Sequence, residues 1–310
     1  MPVHPAIAAR FPLIRDVPPG LDPLLMPETA QGYFAPYGDY ALPDVAITDT
    51  VVEGPHGAIR LRLYRPGAAA GPLPGLLWAH GGAFIGGDLD MPEAHVVGAE
   101  LAARGAVVAS VEYRLAGETV RYPIPLDDVA AAWAWFVGGA DRLGLDPGRL
   151  ALGGASAGAN LAVGAALRAR DEGGRLPNAL LLAYPALHFP NPALPDELAA
   201  EMRELPAMLR FTARSTTEIT RAYLGRISGI PPHLMPGLAD PTGLPPVRMV
   251  LSEYDDLRGS GELFAEQVAE RLVPVDVMVA EGMLHGHLNL PPVAELAVIG
   301  RSLDFLAAGL

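Results

Sequence analysis

The chain contains no cysteine, which excludes disulfides, thiolate nucleophiles and cysteine-ligated metals from its chemistry. Lysine is absent too, so all 22 basic residues are arginines, scattered rather than gathered in a stripe. Against 35 acidic residues they leave a net charge of −13. An acidic chain without a basic patch argues against nucleic acid and against anionic membrane surfaces as partners. No segment reaches the ~18 uninterrupted apolar residues of a membrane span. Met1 to Ile7 also lacks the basic and apolar regions of a secretory leader. These absences lead to the expectation of a soluble, cytoplasmic protein with no stable membrane insertion.

What is present is apolar. Half of the 310 residues are hydrophobic and 18% are charged, enough for a large core and too apolar for disorder. At this length one α/β domain with a decoration is as natural as two domains.

One stretch organises the chain: Leu150-Ala151-Leu152-Gly153-Gly154-Ala155-Ser156-Ala157-Gly158-Ala159-Asn160-Leu161. An apolar strand runs into a Gly-x-Ser-x-Gly turn, from which a small-residue helix, Ala157 to about Arg170, departs. This is the pattern of a nucleophile elbow with Ser156 at its apex. A serine on so tight a turn sits in a strained backbone, and side chains at 154 or 158 would collide with the flanking elements. The amides that follow open a helix N-terminus facing any negative charge beside the serine. Taken alone, the pattern is also compatible with an ordinary glycine-rich junction.

The rest of the chain alternates. After a Pro- and aromatic-rich segment (1–44) with one short helical pattern near Ala6–Ile14, Val45–Glu53 and Ala58–Arg65 read as a hairpin. Strands follow at Leu73–Ala79, Ala106–Glu112, Arg149–Gly154 and Ala179–Tyr184, with helices at Pro92–Arg104 and Leu126–Val137. Gly67–Gly75 reads as a surface loop. Strands alternating with helices imply parallel pairing with helices on both faces. The rhythm breaks from Leu187 to about Pro245, a proline-rich insertion with helices near Asp196–Leu205 and Thr216–Leu224, the second opened by a capping box Ser215…Glu218. It then resumes with Val247–Glu253, Gly261–Arg271, Val275–Ala280 and Val293–Leu306. The expected fold class is α/β, a mostly parallel central sheet with helices on both faces. Residues 45–186 and 246–310 are expected to form its core, with 1–44 lying over that body and 187–245 reading as a lid.

A serine needs a base to take its proton, and the base needs an acid to orient it. Both belong just past the carboxyl ends of strands, where open α/β sheets place their crevice. Of eight histidines, His285 meets this best, with His287 as its rival. Asp255 and Asp256 both follow the strand Val247–Glu253. The order Ser, Asp, His is the one this fold uses. A metal reading of His285-x-His287 with Asp255 or Asp256 lacks a further ligand cluster. Trp78-Ala79-His80-Gly81-Gly82-Ala83-Phe84, at another strand end, supplies backbone amides for an oxyanion hole. His80 reads as a brace for that loop.

The chain resembles the hormone-sensitive-lipase family of α/β-hydrolases, in its bacterial carboxylesterase branch. The matching pieces are His80-Gly81-Gly82-Ala83-Phe84, Glu112-Tyr113-Arg114-Leu115-Ala116, Pro125-Leu126-Asp127-Asp128, Gly154-Ala155-Ser156-Ala157-Gly158, Tyr254-Asp255-Asp256-Leu257-Arg258 and His285-Gly286, in the family order. The resemblance implies Ser156 as nucleophile, His285 as base and Asp255 as acid. It also implies the amides of Gly82, Ala157 and either Gly81 or Ala83 as oxyanion donors, and a helical cap built by both 1–44 and 187–245. Departures from the pattern are Ala155 for the usual acidic or hydroxyl residue, Gly117 for proline, Gly259 for a second acidic residue and His287 for an aromatic. Ala155 removes a side chain that would brace the elbow.

The expected activity is hydrolysis of small to medium acyl esters through an acyl-enzyme, with no cofactor and no metal. The alternatives are a lactone or amide substrate or a lyase reaction on the same scaffold, and a non-catalytic small-molecule receptor. The expected partner is a small-molecule ester. Oligomeric state stays open, a homodimer included.

Overall fold

The computed structural model describes residues 2–18, 26–67 and 71–310. In chain order the described elements begin with the short helices α1 (Pro5–Ala8) and α2 (Glu28–Gln31), then β1 (Ala46–Gly54), β2 (Gly57–Arg65), β3 (Leu73–Ala79), α3 (Pro92–Ala103), β4 (Val107–Glu112) and α4 (Ile124–Gly138). They continue with β5 (Leu145–Ala155), α5 (Ala157–Asp171), β6 (Ala179–Ala183), α6 (Asp196–Arg203) and α7 (Ala213–Leu224). The last are β7 (Val247–Tyr254), α8 (Arg258–Glu270), β8 (Val275–Leu284) and α9 (Ala297–Ala307).

The strands form one eight-stranded sheet in the order β1-β2-β4-β3-β5-β6-β7-β8. β1 pairs antiparallel with β2, and β2 antiparallel with β4. Every later pairing is parallel, from β3 on β4 to β8 on β7. The parallel strands are apolar on both sides because helices cover both faces. In β3, Leu76 and Trp78 pack on one face with Ala151, Leu181 and Val250, beneath Val97 and Leu101 of α3 and Ile299 and Leu303 of α9. Leu77 and Ala79 point the other way, onto Leu152 and Leu182, where Trp133 and Phe136 of α4 and Phe264 and Val268 of α8 close the layer. Each buried Leu, Ile, Val or Phe among them contributes about 1.5–3 kcal/mol, before the entropy of ordering it.

The alternation expected from the sequence is present, with shifted boundaries. β5 begins at Leu145 rather than Arg149, β8 runs on to Leu284, and α8 starts at Arg258 rather than Gly261. The C-terminal helix is preceded by a 3₁₀ turn at Ala294–Leu296. The expected loop Gly67–Gly75 divides: residues 68–70 lie outside the described residues, and Leu73 to Gly75 belong to β3.

The Ser215…Glu218 capping box is not formed. The helix starts earlier, capped by Thr212, whose hydroxyl accepts from the Ser215 amide at 3.3 Å. Glu218 turns outward to Arg214 at 3.0 Å.

The N-terminal segment and the 187–245 insertion meet. Ile14, Val17 and Ala30 form a small buried cluster with Met208 and Leu209 of the insertion packed against it. The His4 amide also donates to the Gly282 carbonyl at 2.9 Å, tying the segment to the end of β8.

Candidate active site

At the turn between β5 and α5, Ser156 adopts φ 52° and ψ −115°, a conformation costly for any residue with a side chain. The flanking glycines are explained by contact. A Cβ at Gly158 would stand 2.1 Å from the Ala79 carbonyl oxygen, and one at Gly154 would stand 2.5 Å from the same atom. The sequence led us to expect a collision with the elbow's own strand or helix. The neighbouring strand β3 presses on the turn as well. Ser156 caps α5, and its own amide donates to the Ala183 carbonyl at 2.9 Å.

The residues brought together are Ser156, His285 and Asp255. His285 Nε2 lies 2.9 Å from Ser156 Oγ, and His285 Nδ1 lies 2.7 Å from Asp255 Oδ2. The carboxylate accepts from Nδ1–H, which leaves Nε2 bare to accept the serine proton. Asp255 is buried, and its other oxygen accepts from the Leu257 amide at 2.8 Å. Burial alone would lower the His285 pKa. The charge and hydrogen bond of Asp255, joined by the charges of Glu93 and Asp256, outweigh it, and the pKa rises above its ordinary value.

His287 and Asp256, the two rivals, face elsewhere. His287 is buried between Ser252 Oγ (2.9 Å from Nδ1) and Ser302 Oγ (3.2 Å from Nε2). Because Ser302 spends its proton on the Val298 carbonyl, it accepts from Nε2–H, and Nδ1 accepts from Ser252. The ring is therefore neutral, with burial first and the nearby His285 second depressing its pKa to about 3. The ring of Tyr184 has its centroid 5.0 Å from each of the two imidazoles. His285 and His287 thus share no common ligand position. Asp256 is taken by Arg210, whose Nε and Nη2 reach its carboxylate at 2.8 and 2.9 Å.

Beside the serine runs the loop after β3. Gly82, Ala83 and Phe84 take consecutive positive φ values of 107°, 55° and 65°. A Cβ at Gly82 would meet the Gly86 carbonyl oxygen at 2.1 Å, so only glycine fits this turn. His80 braces the loop: it donates from Nδ1 to the Gly81 carbonyl at 2.7 Å and stacks 4.4 Å from the Tyr113 ring. Tyr113 in turn donates to the carbonyls of His80 and Gly81 at 2.8 and 3.1 Å.

The sequence left Gly81 and Ala83 as alternative oxyanion donors, and the two amides differ in what they meet. The Gly81 amide donates to Glu93 Oε2 at 2.5 Å. Among the described residues the amides of Gly82 and Ala83 have no hydrogen-bond partner. Ala157, first residue of α5, has an amide that a helix leaves unpaired by construction.

A sequence profile of the alpha/beta hydrolase fold matches residues 76–289, a span that begins in β3 and ends just past His285. The chain belongs to this family, in its hormone-sensitive-lipase-like branch. This hydrolase chain is 34% identical to Esterase LipI of Mycobacterium tuberculosis over 266 residues, 82% of this chain and 79% of the relative. It is also 34% identical to Carboxylesterase NlhH of the same organism over 279 residues, 87% and 84% of the two chains. Among solved structures, a hyperthermophilic esterase from Pyrobaculum calidifontis superposes with a TM-score of 0.74 at 33% identity, covering 85% of this chain and 86% of that one.

The hydrolase carries a buried carboxylate that sequence reasoning passed over. Glu93, in the first turn of α3, is 1% exposed. It accepts from the Gly81 amide at 2.5 Å, the Tyr184 hydroxyl at 2.5 Å and Asn289 Nδ2 at 3.2 Å. It thereby links the loop after β3, the end of β6 and the loop that carries His285. Burial pushes its pKa up, while these hydrogen bonds and the His285 charge pull against it.

A cavity opens from Ser156 and is walled by Ala83, Phe84, Phe189, Phe211, Ile219 and Met235, with an empty volume of about 420 Å³ that includes its open mouth. His188 also lines it. That ring spends its nitrogens on Ser260 Oγ (2.9 Å) and Gln267 Oε1 (3.3 Å). Beyond the serine the cavity is therefore chiefly apolar. Among the described residues no helix is long and apolar enough to cross a membrane.

Proposed function

We propose that the chain is a serine carboxylesterase that hydrolyses esters of small to medium apolar acyl groups through an acyl-enzyme. The observation that carries this reading is the continuous proton route from Ser156 Oγ through His285 to Asp255, 2.9 and 2.7 Å per link. His285 Nε2 takes the hydroxyl proton as Ser156 Oγ bonds to the ester carbonyl carbon. The carbonyl π pair moves onto oxygen, and the amides of Gly82, Ala83 and Ala157 receive that charge. Collapse re-forms the carbonyl and breaks the bond to the alcohol oxygen, which leaves with the proton from His285. Water, deprotonated by the same imidazole, then bonds to the acyl carbon; collapse breaks the bond to Ser156 Oγ, which regains its proton from His285 as the acid leaves.

The apolar cavity supports an ester whose organic part has no polar group to satisfy. In this reading segments 1–44 and 187–245 act as a cap over a core of 45–186 and 246–310, the cap supplying Phe211, Ile219 and Met235 to the cavity wall.

Turnover of short p-nitrophenyl esters by the native protein and by Ser156→Ala tests the proposal. Loss of the serine is expected to lower kcat by roughly 10⁴–10⁶-fold. Turnover unchanged in Ser156→Ala refutes it. Inactivity on every simple ester, with the serine still labelled by a phosphonate, points instead to a lactone, amide or lyase substrate.

A further inference from the structure

Two adjacent carboxylates on one turn serve different masters. Asp255 holds His285. Asp256 points into the insertion, where Arg210 grips both its oxygens (Nε to Oδ2 2.8 Å, Nη2 to Oδ1 2.9 Å) and the Phe211 amide donates to Oδ2 at 2.7 Å. The remaining arm of Arg210 donates to the Met202 carbonyl. The backbone of Asp256 is held in turn by Asn191, whose Nδ2 donates to its carbonyl at 2.5 Å. Arg210 and Asp256 are 15% and 11% exposed. A pair so shielded from water gains little net stability, because desolvation offsets the attraction, whereas removing one partner strands the other's charge. Such a pair fixes geometry more than it adds stability.

What it fixes is Phe211. That ring lies 4.5 Å from the imidazole of His285, edge to face, and lines the cavity. The backbone amide of the same residue is tied to the carboxylate next to His285's own partner. The imidazole and the aromatic ring over it are thus referenced to a single turn.

We infer that the Asp256–Arg210 pair is a positioning device that holds Phe211 as the wall against the alcohol portion of the substrate, setting which alcohols the enzyme releases. The inference rests on the proposed ester hydrolysis. His285 must hand its proton to the departing alcohol oxygen, so that half of the ester lies beside the imidazole. A ring packed on that imidazole borders the alcohol and not the acyl chain. A merely structural staple between insertion and sheet would slow all esters alike. A specificity wall changes the ratio between them.

The test measures kcat/KM for two series, acetate esters of alcohols from ethanol to benzyl alcohol and ethyl esters of lengthening acids. The proteins are the native enzyme, Asp256→Asn and Phe211→Ala. Both variants are expected to raise the ratio of bulky to small alcohols by on the order of 10-fold, the scale at which an apolar pocket discriminates. The acyl-length profile should stay within about 2-fold of native. Equal losses across both series, or a shift confined to the acyl series, overturns the inference.

Amide hydrogen exchange provides a readout without turnover. The Phe211 amide should be protected in the native protein and exchange faster in Asp256→Asn, and unchanged exchange contradicts the arrangement. Hydrolysis that persists in Ser156→Ala would refute the proposed mechanism and leave this exchange result standing by itself.

Discussion

Glu93 accepts a hydrogen bond from the Gly81 amide at 2.5 Å, so an acidic residue at the start of the next helix sets the first glycine of the loop beside Ser156. The same carboxylate receives the Tyr184 hydroxyl and Asn289. Glu93→Ala would leave a buried amide and a buried hydroxyl without partners. The expected loss is about 2–4 kcal/mol of stability, read by urea unfolding, with a smaller loss for Glu93→Gln. Glu93→Gln also removes a charge that helps raise the His285 pKa. The acid limb of its rate profile should move to lower pH. An unshifted limb would mean that Glu93 acts on the loops alone.

In the proposed mechanism His285 must be neutral to accept the serine proton, and its titration sets the pH dependence of the native enzyme. Its pKa stands above the ordinary 6.5, because Asp255, Glu93 and Asp256 together outweigh the opposing effect of burial. The kcat/KM profile should therefore fall on the acid side with an apparent pKa above 6.5. A limb centred clearly below that value would count against His285 as the group that titrates.

His287 makes the opposite contribution to stability. Its folded pKa is about 3, against 6.5 for an unperturbed imidazole. Between those values the unfolded chain binds a proton that the folded one refuses, so stability is lost as pH falls from 6.5 toward 3, by up to about 1.4 kcal/mol per unit. His285 has the reverse slope: its contribution is full below 6.5 and is lost as pH rises through its raised folded value. Urea midpoints from pH 4 to 7 for native and His287→Phe proteins separate the two. The variant is expected to lose less stability on acidification, and identical slopes would contradict a buried neutral ring.

The sequence made some of this legible, for physical reasons. Gly154 and Gly158 are required by contact with the carbonyl of Ala79, and such a constraint appears as a fixed residue at a fixed spacing. The apolar runs of β3, β5 and β6 were readable because both of their faces are buried. Strand position alone left Asp255 and Asp256 equal, and only the family motif singled out Asp255; the physical difference between them lies in Arg210, 46 residues away in the chain. Glu93 looked like any acidic residue in a helix's first turn, where solvent exposure is the ordinary case, and only packing against Tyr184 and Asn289 reveals its burial. The start of α7 was misjudged because Thr212 and Ser215 are both competent caps and the longer helix prevailed.

In the proposed mechanism Ser156 carries the acyl group between the two half-reactions. The direct measurement is the mass of the protein quenched in acid during turnover of p-nitrophenyl acetate, followed by peptide mapping. One acetyl group is expected, on the peptide containing Ser156, absent from Ser156→Ala and depleted when a serine-directed phosphonate is added first. Acetyl found on another residue, or steady turnover in an enzyme whose Ser156 is never acylated, would contradict that mechanism.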